Sequence, residues 1–270
     1  MTDGGVKREV RDKAKQVEDH PAAAWWAAAG HVVNGIVHAI IGAIAIGVAR
    51  GTGGSADQSG AMRAIDAHPL GSIGLWVVGI ALLGLAAYSV ILAIGESRHD
   101  KSDAAKSAGR AVMYVAVGAA ALTYATGGSS DGEEATESLS AQLLQSWWGS
   151  GLLVIAGVVI VAIGVGMIIR GVTRSFLDDV DMPPHFRTTF VWLGIGGYVA
   201  KGIAVAIVGI LFVVAVVTRD PSSTGGLDGA LKALVEVPGG QALLIAVAVG
   251  LILYGIFCLA RARTTARKGS

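Results

Sequence analysis

Six long apolar blocks decide what this chain can fold into. They run about Trp25–Ala49, Leu70–Ile94, Ala108–Thr126, Trp147–Ile169, Phe190–Thr218 and Gln241–Ala260. Each reaches the roughly 20 residues that an α-helix needs to cross the hydrocarbon core of a bilayer. Four hold no charged side chain; the third begins near Arg110 and the fifth contains Lys201. Only 15% of the residues are charged, where a soluble domain usually carries about 25%. The expected fold is all-α and integral to a membrane, with six transmembrane helices.

Charge then orients the spans, because basic residues collect on the cytoplasmic side. The tail before Trp25 carries Lys7, Arg8, Arg11, Lys13 and Lys15. Arg98, Lys101 and Lys106 follow span two; Arg170, Arg174 and Arg187 follow span four; Arg261, Arg263, Arg267 and Lys268 follow span six. The opposite loops carry Arg50, Arg63, Arg219 and Lys232 alone. Both termini are therefore expected in the cytoplasm. The first 24 residues are charged and the first block is too long for a signal h-region, so that span is expected to stay as an anchor. The tail itself, with Val6, Val10 and Val17 on one stripe, reads as an amphipathic helix on the inner leaflet or in the cytosol. Trp25-Trp26 and Trp147-Trp148 stand at block ends, as interface anchors do.

The chain also repeats itself. Each unit is a span, a loop with a short amphipathic stretch, and a second span. "SGAMRAIDAHPLG" and "LDGALKALVEVPGG" match closely, with Pro69 and Gly71 answering Pro238 and Gly240; "EATESLSAQLLQSWWG" is the middle counterpart. "GLAAY" ending at Tyr88 returns as "GLILY" ending at Tyr254. Among first spans, Gly35 to Gly42 aligns with Ala111 to Gly118 and with Gly202 to Gly209. Three tandem helical hairpins follow, at 25–96, 104–174 and 190–262 after the tail of 1–24. An even number of spans per unit makes all three face the same way, unlike the inverted repeats of many transporters.

These repeats resemble the membrane family catalogued as domain of unknown function 1206. Its members look like three tandem two-helix repeats, each opened by a motif resembling Gly-Tyr-x-Ala-Arg/Lys-Gly. The motif is best kept here as "GYVAKG", Gly197 to Gly202. Repeat one reads "GHVVNG" instead, and repeat two keeps Arg110 but lacks the glycine after it. The resemblance implies the architecture and a bacterial inner membrane, and it carries no established activity.

Within the aligned first spans lies a polar stripe. Asn34 corresponds to Arg110 and Lys201; His31 to Ser107 and Tyr198; His38 to Tyr114 and Val205. Spacings of three and four put His31, Asn34 and His38 on one helix face. Lys201 lies about eleven residues into its block, near ~16 Å deep, where a charge costs roughly 2.5–3.5 kcal/mol. It is either a structural or snorkelling lysine or the anchor of a ligand. The expectation is that Asn34, Arg110 and Lys201 converge in the cytoplasmic half, with His31, His38, Tyr114 and Tyr198 lining the same cavity. Membrane lipids and an anionic ligand are the expected contacts, along with a membrane-protein partner or a second copy. No nucleic acid is expected, since no basic tract with interleaved aromatics occurs.

Other chemistries fit poorly. His20, His68, His99 and His185 fall in tails or loops, so His31 and His38 find no intramembrane partner for bis-histidine haem and no third ligand for zinc. No cofactor is expected. "GIGGYVAKG" departs from G-x-G-x-x-G at Val199 and follows no strand. Cys258 is single and deep in the last span, a small apolar filler. Without a nucleophile and base arrangement, the expectation is a non-enzymatic protein that binds or conducts a small anion or lipid head group, or else a scaffold in a larger membrane complex. Gly30 and Gly35, Gly79 and Gly84, or Gly157 and Gly164 are expected to flatten helices for close packing.

Overall fold

Long apolar runs leave the backbone only one way to satisfy its hydrogen bonds in lipid, within helices. The structure, a computed structural model, describes residues 21–68, 70–96, 101–128, 132–179 and 187–267. The charged tail up to His20 lies outside the described residues, as do the side chains of Trp25, Trp26 and Glu96. Six long helices match the six apolar blocks: α1 (Pro21–Ala49), α3 (Gly71–Glu96), α4 (Lys101–Ala125), α6 (Trp147–Thr173), α7 (Arg187–Thr218) and α9 (Gly240–Arg267). Three short ones fall in the intervening loops: α2 (Gln58–Asp66), α5 (Gly132–Leu144) and α8 (Gly226–Glu236). Among the described residues no strand occurs. All six long helices are long and apolar enough to span a membrane, so the chain is a multi-pass membrane protein. Trp147 and Trp148 stand exposed at the start of α6.

Two compact units emerge. One comprises Met1–Ala56 with Thr136–Ser270, the other Asp57–Ala135. In the first, α9 packs between α1 and α7, and α7 packs in turn on α6. Half of the most apolar stretch of α9 is buried, against 17–28% in the other spans, which makes α9 the central helix of its unit. In the second, α3 and α4 pair, with α2 against both. Met62, Leu75, Ala121 and Tyr124 form the core there.

The closest helix pairs follow one rule. In α3 with α4, α6 with α7, and α9 with α1, the second span of one repeat meets the first span of the next, the last repeat meeting the first. Glycine makes these seams. A Cβ added at Gly35 would lie 2.7 Å from the Gly255 carbonyl oxygen, and one at Gly255 would lie 2.6 Å from that of Gly35. Gly164 with Gly202, and Gly157 with Gly209, are equally reciprocal at 2.6–2.7 Å; Gly79 with Gly118 stands at 3.2 Å. Removing side chains at seven-residue intervals lets two backbones approach, and packing of that kind replaces the hydrophobic drive that lipid does not supply. Of the glycines expected to pack closely, Gly35, Gly79, Gly157 and Gly164 do so, whereas Gly30 and Gly84 face open space.

The short helices end by a rule of their own. A methyl at Gly71, Gly149 or Gly240 would collide with the carbonyl oxygen of Ile65, Leu143 or Leu234 respectively, always six residues back. The tight reversal from short helix to second span thus needs glycine in all three repeats. At the middle reversal Ser146 caps α6, accepting the Gly149 N–H at 3.2 Å; Asp57 likewise caps the start of α2, accepting the Gly60 N–H at 2.8 Å.

On α8, the fully buried Asp228 accepts the Ala56 N–H at 2.7 Å and pairs its other oxygen with Lys232 one turn on. It fastens the segment leaving α1 onto α8. Nearby, Gln241 donates its side-chain amide to the Ala49 carbonyl at 2.7 Å, tying the start of α9 to the end of α1.

Candidate functional site

The aromatic core of the larger unit explains the glycine-rich stretch 194–202. α6 ends at Thr173, Arg174 takes a left-handed conformation (φ 61°), and a short 3-10 turn, Ser175–Asp179, swings Phe176 inward. Phe176 stacks on Tyr198 at 5.4 Å between centroids and meets Phe257 edge-on at 5.3 Å. Gly194 leaves room for the Phe176 ring, and Gly197 for the backbone of Tyr254. These glycines serve helix packing.

Against this core sits a polar group at mid-helix. Lys201 is 14 residues from the start of α7, about 21 Å at 1.5 Å per residue. Its Nζ lies 4.4 Å from the centroid of the Tyr254 ring, a cation–π contact. Tyr254 also meets His38 edge-on, with centroids 4.9 Å apart, and Tyr198 edge-on at 5.4 Å. Asn34 donates its side-chain amide to Cys258 Sγ at 3.3 Å. His38 Nδ1 lies 2.8 Å from the Asn34 carbonyl oxygen. Lys201 and His38 are within electrostatic reach of one another.

The charge balance is unusual. Neither α1, α7 nor α9 carries a carboxylate along its length. A desolvated cation–π contact supplies about 2 kcal/mol, which offsets part of the roughly 2.5–3.5 kcal/mol cost of a lysine at this depth. The ammonium has three N–H donors.

Of the seven residues singled out in the sequence, Asn34, His38, Lys201 and Tyr198 come together around Tyr254. His31 lies one turn nearer the start of α1, half-buried and within electrostatic reach of Arg261. Arg110 and Tyr114 belong to the unit of residues 57–135, where Arg110 donates to the buried Ser107 hydroxyl at 2.9 Å. Two participants were not singled out as site residues. Tyr254 appears in the sequence as a repeat marker, yet its counterpart Tyr88 is 52% exposed. Cys258, read as a filler, accepts the Asn34 hydrogen bond. Their four-residue spacing puts both on one face of α9, and that was the available signal.

A family model described as "Domain of Unknown Function (DUF1206)" matches three times, at residues 29–96, 105–174 and 196–265. The chain belongs to this family. The three matches fall on the three repeats. A Bacillus subtilis (strain 168) protein, "Uncharacterized protein YxxB", is 29% identical over 263 residues, covering 94% of this DUF1206 chain and 95% of its own length. No solved structure matches.

Proposed function

We propose that this DUF1206 protein lies in the bacterial inner membrane with both termini in the cytoplasm, and that it binds or conducts a small oxyanion at Lys201 without catalysing a reaction. The anion is either free or the phosphate of a lipid head group entering from the inner leaflet. One observation carries the reading: an ammonium at mid-helix, on helices without a carboxylate, over the face of Tyr254. An anion supplies the missing charge, and charge-assisted hydrogen bonds from the ammonium are the strong kind. Asn34, His38 and Tyr198 surround Tyr254 and shape the site. Among the described residues no group of three His, Cys, Asp or Glu gathers to hold a metal ion.

Orientation is tested by introducing cysteine singly at Ser55, Ser138 and Ser223 and labelling intact cells with a membrane-impermeant maleimide. Labelling at all three is expected; protection of two overturns the topology. Binding is tested with radiolabelled phosphate on protein in phosphatidylcholine nanodiscs, alongside native mass spectrometry of co-purified anionic lipid. Lys201→Met should abolish retention in whichever arm gives a signal, and Lys201→Arg should keep it. If Lys201→Met folds normally and binds as the wild type does, the reading fails.

A further inference from the structure

We infer that a second copy of this chain closes the helix faces that repeats one and two leave uncovered, α1 docking on α3 of the partner subunit and α6 on its α4. The repeats share one register along their second spans. Eight residues past the reversal glycines Gly71, Gly149 and Gly240 stand Gly79, Gly157 and Ala248. Each of the three meets the first span of the next repeat at the equivalent position, Gly118, Gly209 or Gly42. In that register Gly250 answers Ala81 and Val159, and Tyr254 answers Leu85 and Ile163. Leu85 stands one turn before the Tyr88 that the "GLAAY" motif marks.

Repeat three shows what these positions do when covered. Its two spans, α7 and α9, pack on each other. A methyl on Gly197 would lie 2.7 Å from the Tyr254 Cα, and one on Gly250 would run into the Ala200 side chain. On α1 the equivalent of Gly197 is Gly30, which meets nothing within 4 Å, and that of Ala200 is Val33, which is exposed. On α4 the equivalent of Ala200 is Gly109, which also meets nothing within 4 Å. Leu85 of α3, and Val159 and Ile163 of α6, are each about half exposed. Apolar exposure by itself means only lipid. Here the same positions are packed once within the chain, and Gly30 and Gly109 keep the small residues that admit a second helix.

The uncovered faces also match in number. In the larger unit the helices follow in the order α1, α9, α7, α6, with α1 and α6 at the ends. α3 and α4 are joined by their own Gly79–Gly118 seam, so one such pair from a second copy brings both of the faces that α1 and α6 lack. Each chain carries all four faces, which makes the contact self-complementary, the condition for a two-fold dimer that exchanges a matching element.

The test uses the full chain with Cys258→Ser in native membranes. Two differently tagged forms, one with Val33→Cys and one with Ala81→Cys, are co-expressed and oxidised. A disulfide-linked species carrying both tags is expected, and Ile80→Cys in place of Ala81→Cys, which points off that face of α3, should give little of it. With both cysteines in one chain, linkage inside the chain and no dimer band overturns the inference. Gly30→Leu and Gly109→Leu fill space that is free in one chain, so each should fold as the wild type does in detergent. Each should lower the linked fraction about fivefold or more, as overpacking of a closed interface does. A linked fraction unchanged in both variants, a wild type that is monomeric by photobleaching counts in liposomes, or a dimer that never links positions 33 and 81 also overturns it.

Discussion

Gly35 of α1 and Gly255 of α9 face each other so closely that a methyl on either would come within 2.7 Å of the other's carbonyl oxygen. They lie 220 residues apart, in the first and last repeats, and join spans that the chain order keeps farthest from each other. Gly202 with Gly164 does the same for α7 and α6. The small-residue seam is thus a shared device for joining one repeat to the next.

Filling a seam should loosen it. Gly164→Val and Gly255→Val each place branched carbons against a facing backbone, and overpacking of this kind costs about 1–3 kcal/mol. Thermal unfolding in detergent should fall clearly for both. Gly30→Ala and Gly84→Ala open onto free space and should leave the midpoint unchanged or raise it slightly, since alanine is the better helix former. Equal behaviour of the two sets would contradict the seams.

The reversal glycines make a sharper case. Gly71→Ala, Gly149→Ala and Gly240→Ala each drive a methyl into a carbonyl that belongs to the same tight turn. Each should lower the unfolding midpoint more than Gly74→Ala, which meets nothing within 4 Å. Three separate alanine variants with wild-type stability would show that the turns relax freely.

Asp228 should matter far more than its ion-pair partner. Asp228→Ala leaves the Ala56 N–H buried and unpaired, at about 1–3 kcal/mol. Lys232 is about half exposed, so Lys232→Ala should cost under about 1 kcal/mol. Limited proteolysis should find cleavage in segment 50–56 accelerated in Asp228→Ala and nearly unchanged in Lys232→Ala. The reverse order would mean that the ion pair, not the backbone bond, holds the segment.

Cys258, the single thiol, is buried and receives the Asn34 amide. Its reaction with a small maleimide should be slow in the folded protein and complete only on unfolding. Asn34→Leu removes the donor, and should speed labelling several-fold while leaving the secondary structure intact by circular dichroism. Fast labelling of the wild type would place the thiol at an open surface.

Much of this was legible without coordinates, and for identifiable reasons. Hydrophobic block length and basic-residue bias are local properties, so the six spans and their sequence repeats could be counted directly. The three short helices announced themselves through amphipathic spacing and a glycine at the following reversal. Alignment of Gly35 with Gly202 and Gly42 with Gly209 marked positions of equal importance. It could not name their partners, because glycine carries no side chain to specify one.

The polar stripe shows where local reading ends. Spacing put His31, Asn34 and His38 on one face, but a helix face does not say which helix it meets. The tertiary structure decided that α9 packs on both α1 and α7, so that Tyr254 meets His38 of the one and Lys201 of the other. It also separated His31 from that group by a single turn, and it made Cys258 a hydrogen-bond acceptor. By itself the sequence determined how many times the chain crosses the membrane and where its costly polar residues sit, because both follow from transfer of single segments out of water. Which of those residues share a site was decided by close packing between distant spans, where a missing side chain on one helix sets how near the next can come.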